Sequence, residues 1–476
     1  MKQFRQKLSR AAVCLSLLTT CVSPSLRAAE PQFDVLTKVA TDALEFNIVK
    51  LSSGSYLRAG GHQFQSLWTR DFVYASRGLL ALGHSDVVRD QLDLLLGSPL
   101  NLPASAANPL ASLVNPKAWF DGSTKLVKYN GILPKYFDSI NIFERYRLLI
   151  MEKDPAKRTP QVTDDIKPGY MAGIPPSISF DSNALVLLVA LDYVQATGDQ
   201  AWWNARLPQL VKTYQFYHKF LDAQGLVLQP EYSDWQDSAK RVGKTFYVNL
   251  LYYTASERLR SFPEFGISSD QIRALRAALQ ANFFDAKLGI YKGIVIQQGL
   301  LQKKEVSYYG LDGNLLAIDL GFVKAGTPEA LKLFRSLQKA KLPVEGSKTG
   351  ATYSLWSPAS GFPGITTIPN YPENFVTGQV SPFATVSGVG HYHDSITWSW
   401  LLALSAKVAH LVGDDTESDR ILTQFEAMAA RDRTIYEIYE TKPSLVPYNV
   451  RYKSESPFSW GSGMVLDALN SRHSLR

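Results

Sequence analysis

Cysteine is almost absent from this chain. Of 476 residues only Cys14 and Cys21 are cysteine, and both fall within the first 29. Residues 30–476 therefore offer no disulfide and no thiolate metal site. The same N-terminal stretch has no acid: Lys2, Arg5, Lys7, Arg10 and Arg27 stand without an Asp or Glu. The formal charge of +7 belongs to it, since the 50 basic residues less these five leave 45 against 43 acidic ones. A remainder so close to neutral gives no footing for nucleic acid as a partner. Long hydrophobic runs are missing too. The run AAVCLSLLTTCV (11–22) has 12 residues, whereas a spanning helix needs about 20. No integral membrane segment is expected in the mature chain.

What is present at the N-terminus has the order of a secretory signal. A positive segment (2–10) is followed by the apolar run and then by Pro24, Ala28 and Ala29. We expect a leader over 1–29, a mature start near Ala28–Glu30, and export to a bacterial periplasm or exterior. The whole chain is 45% hydrophobic and 12% aromatic, a composition that builds a packed core rather than a disordered tether.

Apolar residues recur every three to four positions over most of the chain. The spacing predicts twelve helices, over 33–50, 72–96, 138–152, 181–197, 203–223, 244–261, 268–283, 312–322, 327–339, 395–413, 415–431 and 459–471. Ser268, Thr327 and Asp414 are start signals, and Gly83, Gly198 and Gly413 are stops. Strand-like alternation is short, with 290–298 its best case. Two stretches, 97–136 and 341–390, lack helical spacing; the second is rich in Gly, Pro, Ser and Thr but also in aromatics. Both are read as ordered loops over a cleft.

Polar and aromatic residues cluster before every second helix. The clusters are Trp68-Thr69-Arg70-Asp71, Ser179-Phe180-Asp181-Ser182, Ser233 to Ser238, Tyr308 to Asn314, His391 to Ser395 and Ser456 to Trp460. Short connections make successive helices antiparallel, so the even-numbered ones share a direction. If they form an inner ring, six clusters converge on one end. Plain capping explains Asp and Ser there but not the aromatics. Aromatic faces beside carboxylates and amides suit a carbohydrate, whose C–H faces stack and whose hydroxyls need hydrogen-bonding partners. Trp68, Trp235, Trp398, Trp400 and Trp460 are the candidate platforms. His391 and His393 lack a third ligand, so no metal and no other cofactor is expected.

These motifs resemble, in order, those of the six-hairpin or (α/α)6-barrel glycosidases: glucoamylases, trehalases and the amylo-α-1,6-glucosidase part of glycogen-debranching enzymes. The segments that carry the resemblance are AGGHQFQSLWTRDF (59–72), NGILPKYFD (130–138), FDSNALVLLVALDYVQATGD (180–199), SDWQDSAKRVGKTFYVNLLYYTA (233–255), HYHDSITWSWLLA (391–403) and SPFSWGSGMVLDAL (456–469). The fourth is closest to the debranching type. The resemblance implies an all-α fold, an (α/α)6 toroid of about twelve helices with long cleft-side loops, over 30–476. It also implies an inverting α-glycosidase acting on an α-glucoside or short α-linked oligosaccharide.

An inverting glycosidase needs one carboxyl to protonate the leaving oxygen and another, about 6.5–9.5 Å away, to activate water. By resemblance Asp237 is the acid, with Trp235 and Asp234 beside it to raise its pKa; the alternative for Asp237 is an N-cap. The base is Glu437 by its E-x-Y setting, with Glu440 and then Glu455 as the alternatives. Substrate contacts are expected from Trp68, Arg70, Asp71, Asp181, Trp235, Lys244, His393, Trp400 and Trp460. Alternative functions on the same toroid are a glycoside phosphorylase, a polysaccharide lyase using Tyr392 with His391 or His393, and a non-catalytic sugar-binding protein. The sugar, the linkage and the oligomeric state stay open at this point.

Overall fold

Burial sorts the helices into two kinds. Four of the even-numbered ones are buried nearly all round: α4 (Ser182–Thr197), α6 (Phe246–Leu259), α8 (Leu311–Asp319) and α10 (Ser399–Leu411). The other two, α2 (Thr69–Ala81) and α12 (Ser459–Ser474), are buried at most of their described side chains, with exposure concentrated toward the C-terminal end. The odd-numbered helices bury one stripe. They are α1 (Asp34–Asn47), α3 (Ser85–Leu96), α5 (Gln200–Gln215), α7 (Ser269–Phe283), α9 (Pro328–Lys339) and α11 (Asp415–Asp432). In α9 that stripe is Ala330, Leu333, Phe334 and Leu337, the three-to-four spacing of a helix lying on a core. A helix apolar on every side must be enclosed, so the two kinds define an inner and an outer layer.

The contacts close both layers. Each inner helix packs on the next, α2 on α4, then α6, α8, α10 and α12, and α12 returns to α2. Each outer helix covers an inner neighbour: α3 on α2, α5 on α4, α7 on α6, α9 on α8, α11 on α10 and α1 on α12. The twelve helices form the expected double ring. Closure between α2 and α12 depends on glycine. A Cβ on Gly463 would lie 2.3 Å from Ala75 Cα, and one on Gly78 would lie 2.8 Å from Gly463 Cα.

The computed structural model describes residues 33–100, 130–140, 161–171, 177–298, 304–371, 391–449 and 452–474, with isolated positions at 144, 147, 148 and 151. The expected leader, 101–129 and 372–390 lie outside the described residues. Residues 33–476 belong to one compact unit, and no described helix is long and apolar enough to cross a membrane.

Two helical expectations are corrected. The helix over 72–96 is two helices, because Gly83 takes φ +87° and His84 N–H turns back to the Leu79 carbonyl. The helix over 138–152 does not begin at 138, because Tyr136–Asp138 is a strand; the described positions 144, 147, 148 and 151 are helical, and the rest of 141–152 lies outside the described residues. The start signals act as read. Ser268 makes a reciprocal capping box with Gln271. The Thr327 and Asp414 side chains accept from the backbone N–H groups of Ala330 and Glu417.

Short antiparallel ladders join the loops at the N-terminal end of the inner ring. Leu67–Trp68 pairs with 136–137, Thr397–Trp398 with 438–439, and Thr367–Ile368 with 309–310. The opposite end is closed by charge. Each inner helix supplies one ionic residue, and the signs alternate around the ring: Arg77, Asp192, Arg258, Asp319, Lys407 and Asp467. Arg77 reaches Asp192 (3.2 Å), Asp319 (3.0 Å) and Asp467 (3.6 Å). Arg258 reaches Asp192 (2.7 Å), while Lys407 bridges Asp319 (2.7 Å) and Asp467 (2.6 Å). Burial pushes the Asp319 carboxyl up, but Lys407 and Arg77 outweigh it and hold the group at about 2.

Candidate active site

Asp237 sits in a tight loop far from a cap position, since Thr245 is the N-cap of α6. Ala239 N–H closes the turn on the Gln236 carbonyl (3.0 Å), and the Gln236 side chain is held by Thr367 and Tyr371. The Asp237 side chain remains 32% exposed, unlike its buried neighbours. Two cations meet it. Lys135 Nζ lies 3.0 Å from Oδ2, and Arg70 Nη1 donates to the same oxygen at 3.2 Å. Arg70 also donates through Nε to Asp181, at 2.9 and 3.1 Å. Asp181 opens α4 but caps nothing; it accepts instead from Arg70, Ser179 and Tyr247.

These cations correct one expectation. Burial alone would raise the Asp237 carboxyl, as an acid at neutral pH requires. Lys135 and Arg70 outweigh it and hold the group at about 2. Neither Trp235 nor Asp234 supplies the expected lift: Asp234 is turned to Gln229, Gln236 and Arg241.

Glu437 is brought to the site by its own ladder. It precedes the strand Ile438–Tyr439, and its carbonyl accepts from Ser399 N–H (3.0 Å) at the start of α10. Its buried carboxylate accepts from the phenols of Tyr392 and Tyr452. Burial pushes it up to about 7, against the pull of both phenols, and the charge on Asp237 works in the same direction as burial. Asp71, half-buried, is pushed well above the usual range, first by burial and then by Glu437. Glu437 thus senses Asp237, and Asp71 and Glu455 both sense Glu437, on one end of the inner ring.

The alternatives for the base point elsewhere. Glu440 pairs with Lys442. Glu455 is fully enclosed and accepts from the backbone N–H groups of His62, Gln63 and Phe64 at 2.5 to 2.9 Å, so it secures the loop ahead of Trp68. Burial pushes it up to about 8, with Glu437 adding to this and the three N–H donors opposing it.

The expected contacts divide. Trp68 is half-buried, tilted on Tyr136 with 5.0 Å between centroids, and its indole N–H has no partner. Arg70 Nη2 is likewise without a partner. Arg70 lies against the carboxylates of Asp181 and Asp237. Four residues are corrected. Trp400 is 0% exposed and Trp460 is buried, and they stack on each other (4.8 Å) and on Tyr74. Trp235 is enclosed edge-on by His393, Trp398, Trp400 and Trp460, with its N–H on Asp312 (2.6 Å). These indoles form a core beneath the carboxyls rather than open platforms. Lys244 is not brought to the site at all; it pairs with Asp222 (2.8 Å) and Asn282. His393 is buried, stacked on Trp398, and its Nδ1 meets Ser238 Oγ at 2.6 Å. Burial drives it down to about 3, so it is neutral.

Sequence reasoning missed Lys135 and Tyr452 as partners of the two carboxyls. Lys135 lies in the quoted 130–138 segment, and its carbonyl accepts from Thr69 N–H (3.0 Å) at the start of α2. Among the described residues no group of three or more His, Cys, Asp or Glu is arranged to hold a metal ion.

The chain matches no family model and no curated protein. Solved structures do resemble it. A rhamnosidase from Klebsiella oxytoca with rhamnose bound aligns with a TM-score of 0.55 at 14% identity, over 93% of this chain and 64% of that one. This chain therefore spans just under two thirds of that relative. A glycosidase point variant in complex with glucose aligns at 0.53 and 13% identity, over 92% of this chain and 97% of the other. A mannosylglycerate hydrolase from Thermus thermophilus in complex with glucose aligns at 0.52 and 12%, over 90% and 99%. The fold is the (α/α)6 toroid of glycosidases. The neighbours do not single out the glucoamylase or debranching type.

Proposed function

We propose that this protein is an exported, inverting glycoside hydrolase that acts on an α-glucoside or short α-linked oligosaccharide through Asp237 and Glu437. The observation that carries the reading is a pair of carboxyls in opposite environments at one end of the inner ring: Asp237 between two cations and partly open, Glu437 buried between two phenols. Groups driven apart in this way are how an active site divides proton donor from acceptor. In this reading Glu437, near 7, is a base poised at working pH. Water loses a proton to it and attacks the anomeric carbon. Asp237 gives its proton to the leaving oxygen, in a complex where sugar hydroxyls draw Lys135 and Arg70 away from it. Arg70 Nη2 and the Trp68 indole N–H, both unpaired, are donors for those hydroxyls.

One observation favours the opposite division. In the free protein two cations hold the Asp237 carboxyl at about 2 while burial pushes Glu437 up to about 7, which disposes Glu437 rather than Asp237 to carry a proton. Glycosyl fluorides decide between the two, because fluoride leaves without a proton. If Asp237 is the acid, Asp237→Asn keeps most of its rate on the fluoride and loses it on a natural glycoside, while Glu437→Gln loses both. The reverse pattern exchanges the roles. A lyase is disfavoured, because burial and Glu437 push the Tyr392 phenol well above its ordinary value, so the phenolate that a lyase base requires is not populated near neutral pH. Incubation with a panel of α- and β-linked oligosaccharides, with and without phosphate, tests the reaction class. Turnover only with phosphate, or binding without turnover, would replace the hydrolase reading.

A further inference from the structure

The Glu437 carboxylate is held on both oxygens. Tyr392 donates to Oε1. Tyr452 donates to Oε2 at 2.5 Å, and the backbone N–H of Glu455 also reaches Oε2, at 3.4 Å. An ionised carboxylate offers two lone pairs per oxygen. Among the described residues Oε2 is therefore fully engaged, and Oε1 keeps one pair free. The two phenol oxygens lie 3.4 Å apart, so they close one side of the carboxylate as a unit.

The holder is itself fixed. The Tyr392 ring meets the edges of His393 and Trp398, each at 4.7 Å, and its carbonyl accepts from the Trp398 indole at 2.8 Å. His393 is locked to Ser238, the residue after Asp237. A continuous strut thus runs from Glu437 through Tyr392, His393 and Ser238 to the loop that carries Asp237.

We infer that Tyr392 and Tyr452 are positioning residues, which fix the plane of the Glu437 carboxylate and leave a single lone pair, on Oε1, to accept the proton of the attacking water. The inference rests on the hydrolase reading for the water, and on geometry alone for the clamp. Burial and the Glu437 charge push both phenols well above their ordinary range, so both remain donors at every working pH. Donation to the charged form also opposes the upward push of burial on Glu437.

The test uses Tyr392→Phe and Tyr452→Phe in the full chain. Each removes one hydroxyl and leaves the ring packing. For each variant we expect kcat to fall about 10- to 100-fold with KM within about twofold, because positioning acts on the transition state. The acidic limb of the pH–rate profile should move about one unit toward higher pH, since a donor to the carboxylate is lost. A merely structural hydroxyl would leave that limb in place. A second readout needs no turnover: in protein labelled with carboxyl-13C glutamate, the signal that disappears in Glu437→Gln should titrate at higher pH in both variants. If that midpoint and the limb stay where they are in the parent, the clamp is overturned, whatever the enzyme cleaves. If the midpoint rises but no glycoside is hydrolysed, the clamp is supported and the hydrolase reading, with its water, falls.

Discussion

The two ends of the inner ring are built from the same residue types and behave oppositely. At the C-terminal end, three cations and three carboxylates alternate, one per helix, and each carboxylate has a cation within hydrogen-bonding reach. At the N-terminal end Asp237 keeps Lys135 and Arg70, but among the described residues Asp71, Glu437 and Glu455 have no cation within ion-pair distance, and their carboxyls are pushed up. Burial acts at both ends; what differs is whether a counter-charge is supplied. Compensated charge holds the ring together. Uncompensated charge costs stability and leaves a proton free to move, as chemistry requires.

The sharpest way to break this comparison is to neutralise carboxyls at each end. At the N-terminal end, Asp237→Asn and Glu437→Gln should lower kcat on a natural glycoside by about 10²- to 10⁴-fold, while denaturant unfolding shows a protein no less stable for Glu437→Gln. At the other end, Asp319→Asn removes a carboxylate shared by Lys407 and Arg77, which keep Asp467 and Asp192, and should cost about 2 kcal/mol in unfolding free energy, with kcat of the folded enzyme unchanged. A catalytic loss for Asp319→Asn at full stability would erase the division of labour.

Stability against pH should carry the same signature. The folded-state pKa of Glu437 is raised from 4.5 to about 7. Its contribution is present below about 4.5 and is lost as pH rises through 7. Glutamine cannot ionise, so Glu437→Gln should be more stable than the parent at pH 8 by up to about 3 kcal/mol. Asp319 is held at about 2 against an ordinary 3.8; its contribution is present above about 4 and lost as pH falls through 2. Melts of parent and variants across pH 3–8 check both slopes. The smallest effect belongs to Lys244→Ala, which removes a partly exposed pair with Asp222. It should cost under about 1 kcal/mol and leave KM unchanged.

The sequence made the layers and the site's address legible, because both rest on short-range patterns. Three-to-four spacing marked the helices, and clusters at alternate helix starts marked one end. Gly83 reads as a stop, yet the spacing predicts one helix across it, because apolar residues continue from Leu79 to Val87. Packing was the harder matter. Trp235, Trp400 and Trp460 stand at the right helix ends, but nothing local says whether an indole faces solvent or another indole. Tyr452 and Lys135 escaped for a related reason: each meets a carboxyl whose neighbourhood is assembled only by the ladders between loops. The same long-range cations reversed the expected pKa of Asp237.

The central claim is that Asp237 and Glu437 act together on water and a glycosidic bond. The most direct measurement is proton NMR of the anomeric signals during hydrolysis of an α-linked oligosaccharide by the parent protein and by Glu437→Gln. The parent should release the β-anomer first, before mutarotation mixes the two, and Glu437→Gln should release neither. Release of the α-anomer first, or undiminished turnover by Glu437→Gln, would contradict the claim.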